Sequence, residues 1–132
     1  MRTLNQNIQT KTILPIQVIT ATTNGASVDT YVSDKPAFDT ALVDVAIGNL
    51  GDQTSTKVKI EEADVSDFSS GATITKGGEE VTVTADTVYK MQTERKKRYM
   101  RAVVTITGGA APSLEVYIGA ILWNAEKPFP LV

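Results

Sequence analysis

Histidine and cysteine are both absent from this chain of 132 residues. Without histidine, the chain lacks the only side chain whose unperturbed pKa lies near neutrality. Without cysteine, it can form no thiol nucleophile, no zinc–thiolate site and no disulfide. The catalytic routes that remain use paired carboxylates, a serine–lysine pair or a carboxylate-bound metal ion. We therefore expect a protein that is not an enzyme and that needs no cofactor.

Long apolar segments are also lacking. No stretch approaches the roughly 18 consecutive apolar residues that can span a bilayer. Residues 1–10 contain one arginine but no apolar core of the kind that signal peptides have. These absences predict a protein that has no membrane partner and that works where it is made, or is carried elsewhere within an assembly.

Short β-strands separated by turns are what the chain does contain. β-Branched residues alternate with polar ones over short runs that end in Gly, Asn, Asp or Pro, and no window keeps a helical period. The clearest core strand is predicted at residues 38–47, where the side chains of Ala41, Val43, Val45 and Ile47 share one face. About eight strands at these spacings predict an all-β fold, an antiparallel and jelly-roll-like β-sandwich.

The turns and the ends of the chain predict how these strands are connected. Pro15 cannot donate to a sheet, so the first strand is predicted to start after it or to lie at a sheet edge. Three glycine-containing segments are typical of hairpin turns; they are Asn24–Gly25, Gly77–Gly78 and Gly108–Gly109. The predicted organisation is an N-terminal arm at residues 1–12, a sandwich at 13–123 and an extended, proline-rich tail at 124–132.

A dense cluster of positive charge stands out in a chain whose formal net charge is only −2. Its members are Arg95, Lys96, Lys97, Arg98 and Arg101. Together with the ring of Tyr99, these cations could bind nucleic acid, but the low pI of about 5.1 and the lack of an RNA-recognition motif argue against this. The alternatives are a solvated loop and a charged contact with an acidic protein partner.

The other candidate sites are weaker. The acidic run at residues 61–67 lacks the glycine and the closing glutamate of an EF-hand, so it predicts no metal site. Aromatic residues make up only 6% of the chain, which leaves little material for a sugar-binding platform. A carbohydrate-binding module would need exposed rings, and the candidates are Tyr31, Tyr89, Tyr117 and Trp123.

Three segments carry a resemblance to a known family. Residues 22–29 match the T-x-x-G-x-x-V-D opening of small structural proteins of tailed bacteriophages. The lysine- and arginine-rich residues that lead into Arg98–Val104, together with the threonine-rich strand and the Gly-Gly that follow, resemble their penultimate strand. Val116–Leu122 resembles their final strand. Over roughly residues 13–130 the chain is similar to head decoration, or capsid cement, proteins. Thr30–Ser33 departs from the family pattern, which has an apolar or glycine–tyrosine pair there.

The resemblance implies a function without catalytic residues. It implies a virion structural protein, made in the host cytoplasm, that binds the outside of an assembled capsid and bridges capsid subunits. Its partners would be the lattice of the major capsid protein and further copies of itself, as a dimer or trimer. The alternatives are another virion component, such as a tail, neck or fibre-base protein, and a carbohydrate-binding β-sandwich. The predicted partner contacts are Arg95, Lys96, Lys97, Arg98, Phe129 and Leu131.

Overall fold

The structure, a computed structural model, describes residues 8–124, which form twelve strands. The six long strands are β1 (Ile8–Ile19), β6 (Thr40–Leu50), β7 (Ser55–Ala63), β10 (Thr87–Glu94), β11 (Tyr99–Thr107) and β12 (Leu114–Trp123). The six short ones are β2 (Thr23–Asn24), β3 (Val28–Asp29), β4 (Tyr31–Val32), β5 (Lys35–Pro36), β8 (Thr73–Ile74) and β9 (Val81–Thr82). The predicted number of about eight was too low, because two-residue strands are too short to show alternation in a sequence. Within residues 8–124 no helix is long and apolar enough to cross a membrane.

Ten of the strands form two packed antiparallel sheets, and β4 and β5 form a separate two-stranded hairpin. Sheet A has the order β1-β12-β6-β10. In sheet B the order is β2-β11-β7-β8, and β3 also pairs with β11 while β9 also pairs with β7. The core lies between the sheets and draws on both, with Val43, Val45 and Ile118 from sheet A packed in one cluster with Val58 and Ile60 from sheet B. The predicted all-β sandwich is therefore confirmed.

Alternation along β6 and β7 fixes which face of each strand is buried. On β6 the side chains of Ala41, Val43, Val45 and Ile47 are all at most 5% exposed, as predicted. The residues between them are half-buried and point to the outside of sheet A. The same alternation continues on β7 through two fully buried apolar residues and then through Glu62, which is only 3% exposed.

The first strand lies at an edge of sheet A, as Pro15 predicted. The register of β1 against β12 shifts between Thr12 and Leu14 and again between Leu14 and Gln17. The ladder is thus interrupted around the proline, which has no N–H to donate. The strand starts at Ile8, so residues 8–12 of the predicted arm pair with the last strand.

None of the three predicted hairpin turns joins two strands that pair with each other. The Gly108–Gly109 segment lies where the chain passes from sheet B to sheet A, whereas Asn24–Gly25 lies between β2 and β3, which both pair with β11 in sheet B. The strands on either side of Gly77–Gly78 both pair with β7. Glycine is still required, because Gly108 and Gly109 have φ of +77° and +85°. Glycine signals a change of direction in the chain, but not which strands pair after it.

Candidate functional site

Four of the five cations of the positive cluster form the connection between β10 and β11, at one end of the sandwich. We call residues 95–98 the basic loop. Because β10 lies in sheet A and β11 in sheet B, the basic loop crosses from one sheet to the other. It follows that all four predicted contact residues of this segment lie close together at the end of the molecule. The predicted contacts Phe129 and Leu131 lie outside the described residues.

A buried carboxylate holds the backbone of the basic loop. One oxygen of Glu62, Oε2, accepts hydrogen bonds from the backbone N–H of Lys96 at 2.7 Å and of Lys97 at 3.2 Å. The backbone N–H of Arg98 donates to Oδ1 of Asp64 at 3.4 Å. Successive N–H groups that converge on a carboxylate form charge-assisted hydrogen bonds, which are stronger than neutral ones. Glu62 near the end of β7 and Asp64 just after it therefore hold the backbone of the basic loop in one conformation.

Arg98 is ion-paired with two aspartates of the same chain. Its guanidinium donates to both carboxylate oxygens of Asp29, from Nε at 3.0 Å and from the second terminal nitrogen at 2.8 Å. The same nitrogen also donates to Asp34 at 3.1 Å. These bonds lower the pKa of Asp29 below its usual value, and they raise the pKa of Arg98. The backbone oxygen of Arg98 accepts hydrogen bonds from the hydroxyl and the N–H of Thr30, so both ends of the residue are tied down.

The short hairpin formed by β4 and β5 positions Asp34 beside Arg98. Val32 and Lys35 pair across it, and the two residues between them, Ser33 and Asp34, have φ of 52° and 60°. Two consecutive positive φ values are typical of a type I′ turn, which favours glycine and asparagine. In the same hairpin, the ring of Tyr31 faces the guanidinium of Arg98 at 4.8 Å. The hairpin thus contributes both a carboxylate and an aromatic face to the site.

The other three cations of the basic loop are not bonded to carboxylates of the described chain in the way that Arg98 is. Nε of Arg95 donates to the carbonyl of Phe38, and Nζ of Lys97 donates to the carbonyl of Gly71. The side chain of Lys96 is exposed. The guanidinium of Arg95 also lies 5.3 Å from the centre of the ring of Tyr31. Among residues 8–124, no carboxylate forms an ion pair with Lys96 or Lys97. The basic loop therefore presents these two lysines on a fixed backbone, and Lys96 is the more accessible of the two.

Arg101 belongs to the face of sheet B and not to the basic loop. Its guanidinium donates to Oε1 of Glu61 on the neighbouring strand, at 3.1 and 3.3 Å. It also lies 4.4 Å from the centre of the ring of Phe68, which is 8% exposed. The charge of Arg101 is compensated across the sheet.

Sequence reasoning missed the acidic partners of the site. Arg98 is 69 positions away from Asp29, and nothing in a single sequence reports a contact over that distance. Glu62 did leave a signal, since alternation from Val58 and Ile60 places it on the buried face. A carboxylate on the buried face indicates hydrogen bonds to neighbouring donors, because buried polar groups are almost always hydrogen-bonded.

The four aromatic side chains considered for sugar binding are each partly buried. They lie on three different strands, with Tyr31 on β4, Tyr89 on β10, and Tyr117 and Trp123 on β12. The hydroxyl of Tyr89 is engaged by the backbone N–H of Thr84 at 2.9 Å. The carbohydrate-binding alternative stays a prediction. No group of three or more acidic residues within residues 8–124 is arranged to hold a metal ion.

These features define a small antiparallel β-sandwich with a braced basic loop at one end. Among solved structures, the chain is similar to the SPBc2 prophage-derived protein YomS, with a TM-score of 0.56 and 15% sequence identity over 88% of this chain and 92% of that one. It is also similar to PirA, with a TM-score of 0.45 and 16% identity over 89% of this chain and 94% of that one. No known protein family and no curated protein sequence matches it. The likeness to YomS shows that the fold extends over nearly the whole length of both chains.

Proposed function

We propose that this protein is a non-enzymatic structural protein of a bacteriophage virion that binds the outside of the assembled capsid. In this role it would bridge neighbouring capsid subunits, and it would be made in the host cytoplasm. Binding to the assembled lattice alone stabilises that lattice by mass action. The partners would be the major capsid protein and further copies of this chain.

The fold likeness supports the phage part of this proposal. The similar structure belongs to a protein that is described as prophage-derived, and the likeness covers 88% of this chain. The resemblance of the T-x-x-G-x-x-V-D segment and of the last two strands to decoration proteins points in the same direction. Fold and sequence pattern are different kinds of observation, and both favour a virion component.

The basic loop supports the partner-contact part. A loop that is already fixed loses little conformational entropy when it binds, so more of the contact energy is kept. The buried carboxylate of Glu62 fixes the backbone, while the ammonium groups of Lys96 and Lys97 form no ion pair with a carboxylate of residues 8–124. Complementary charge on a capsid would set the register of docking and speed the encounter.

A charge-reversal experiment tests the loop contact. Lys96→Glu with Lys97→Glu changes the loop charge and leaves the ion pair between Arg98 and Asp29 intact. We expect at least a tenfold loss of occupancy on purified capsids at low salt, measured by co-sedimentation, and a smaller loss at high salt because charges are screened. The matched control is Lys57→Glu, in the exposed pair with Glu80 near the other end of β7. Unchanged occupancy of the double variant, or an equal loss in the control, would contradict the proposed contact.

The same observations support a second virion role, in the tail, neck or fibre base, since the likeness to a prophage-derived protein names no location. The two roles predict different locations in the particle. A purified capsid without a tail should bind the protein if it is a decoration protein and should not bind it if it belongs to the tail.

A further inference from the structure

Asn24 and Gly25 form the one asparagine–glycine pair of the chain. Asn24 is the last residue of the edge strand β2 in sheet B, where it pairs with Val103 of β11, and its side chain is exposed. An asparagine followed by glycine is the pair most prone to spontaneous deamidation, because glycine has no side chain that hinders the reaction. The sequence therefore places a chemically labile pair at an edge of the sandwich.

Packing against β1 favours glycine at position 25. A Cβ at this position would lie 2.6 Å from Cγ2 of Ile13 and 3.1 Å from the backbone oxygen of the same residue. The next residue, Ala26, donates its N–H to that oxygen at 2.8 Å, which holds the segment close to β1. A larger residue after Asn24 would slow deamidation, but this close approach disfavours one. The labile pair is thus a consequence of how the segment packs.

We propose that Asn24 is a deamidation site that the folded chain protects and that reacts when β2 opens. The backbone nitrogen of Gly25 attacks Cγ of Asn24, so that a C–N bond forms and closes a succinimide ring. The bond between Cγ and Nδ2 breaks, and ammonia leaves with the proton of the backbone N–H. Water then hydrolyses the ring at either carbonyl and gives aspartate or isoaspartate. This inference does not rest on the proposed function, because it uses only the chemistry and packing of one segment.

The folded structure keeps the reacting atoms of this pair apart. The N–H of Gly25 donates to the backbone oxygen of Ala102 at 2.8 Å, so the nitrogen that must lose its proton and attack is engaged in a hydrogen bond. Asn24 has the extended backbone of a strand, which directs its side chain to the face of the sheet and away from the next backbone nitrogen. Ring closure requires both features to change, so β2 must first leave β11.

We expect β2 to open without unfolding of the rest of sheet B. It has two residues, lies at the edge of the sheet and pairs with β11 through Thr23 and Asn24 alone. The hydroxyl of Thr22 adds a further connection, because it donates to the oxygen of Ile106 at 3.4 Å and accepts from the N–H of Ile106 at 3.1 Å. Short edge segments with few contacts open at a free energy well below that of global unfolding. Thr22 thus limits how often Asn24 becomes reactive.

Peptide mapping by mass spectrometry of the full chain tests whether Asn24 is the site and whether folding protects it. In urea, Asn24 should deamidate at least tenfold faster than in the folded chain under otherwise equal conditions, because the unfolded chain lacks the bond from Gly25 to Ala102. Asn49 is followed by the bulky Leu50 and is the internal control, which should react more slowly than Asn24 in urea. Equal rates for Asn24 in the folded and unfolded chains, or no reaction in either, overturn the proposal.

Two threonine variants test the opening of β2 as the route. Thr22→Val removes the hydroxyl but keeps a β-branched side chain, so it should speed deamidation of Asn24 in the folded chain several-fold. The matched control is Thr20→Val, at an exposed threonine two positions away, which should leave the rate unchanged. Hydrogen exchange of the Gly25 amide, measured on both variants, reports the opening itself. Equal deamidation in the two variants, or faster exchange of this amide without faster deamidation, overturns the proposed route.

Discussion

Replacing Glu62 should loosen the basic loop and destabilise the fold. Hydrogen bonds to charged groups contribute about 1.5–3 kcal/mol each, and two such bonds converge on one oxygen of this buried carboxylate. Since bonds that share an acceptor are not additive, we expect Glu62→Ala to cost about 3 kcal/mol of unfolding free energy. Glu62→Gln keeps an oxygen acceptor but loses the charge, so it should cost about 1 kcal/mol.

Two assays together distinguish a loop effect from general destabilisation. Thermal unfolding should shift by roughly 12 °C for Glu62→Ala, at about 4 °C per kcal/mol for a domain of this size. Hydrogen exchange of the backbone amides of Lys96 and Lys97 should accelerate more than that of the core strands. The control is Glu80→Ala, which removes an exposed ion pair and should change stability by less than about 0.5 kcal/mol. An alanine variant with unchanged stability and unchanged exchange of the two amides would refute the role given to Glu62.

Three further predictions concern the rest of the molecule. The pKa of Asp29 is lowered in the folded state, so its pairing with Arg98 stabilises the fold fully above the unfolded-state pKa of about 3.9 and is lost as the pH falls through the folded-state pKa. In urea unfolding, the stability difference between wild type and Asp29→Asn should therefore shrink on acidification, and a constant difference would contradict this. Gly25→Ala places a Cβ 2.6 Å from Cγ2 of Ile13 and should cost about 1–3 kcal/mol; a neutral result in the same assay would mean that this contact relaxes freely. Ile118→Ala, at a fully buried core position, should cost about 2–5 kcal/mol, and a loss below 1 kcal/mol would show that the core is packed loosely there.

The fold was predictable from the sequence where alternation extends over many residues. β6 and β7 show this, since the side chains at 43, 45, 58 and 60 lie buried as their spacing predicts. The path of the chain between sheets was not predictable. A glycine-containing turn such as Gly108–Gly109 looks the same in sequence whether the following strand pairs with the previous one or joins the opposite sheet.

The position of the basic loop was predictable from the sequence, but its bonding was not. Consecutive basic residues at 95–98 located the positive cluster, and its role as a partner contact stays a prediction. Which of these side chains form ion pairs depends on contacts between residues that lie 64 to 69 positions apart in the sequence. The contacts of Arg98 with Asp34 and Asp29 are examples. Since Arg98 is ion-paired within the protein and the two lysines are not, we propose Lys96 and Lys97 as the main charges of the contact.

Electron cryo-microscopy of the purified virion tests the central claim most directly. The proposal predicts density for a 14.2 kDa domain, repeated over the exterior of the capsid at junctions between its subunits. The β-sandwich should fit this density with the basic loop directed at the lattice. Density of this fold confined to the tail or neck, or a capsid exterior without it in virions that contain the protein, would contradict a capsid decoration role.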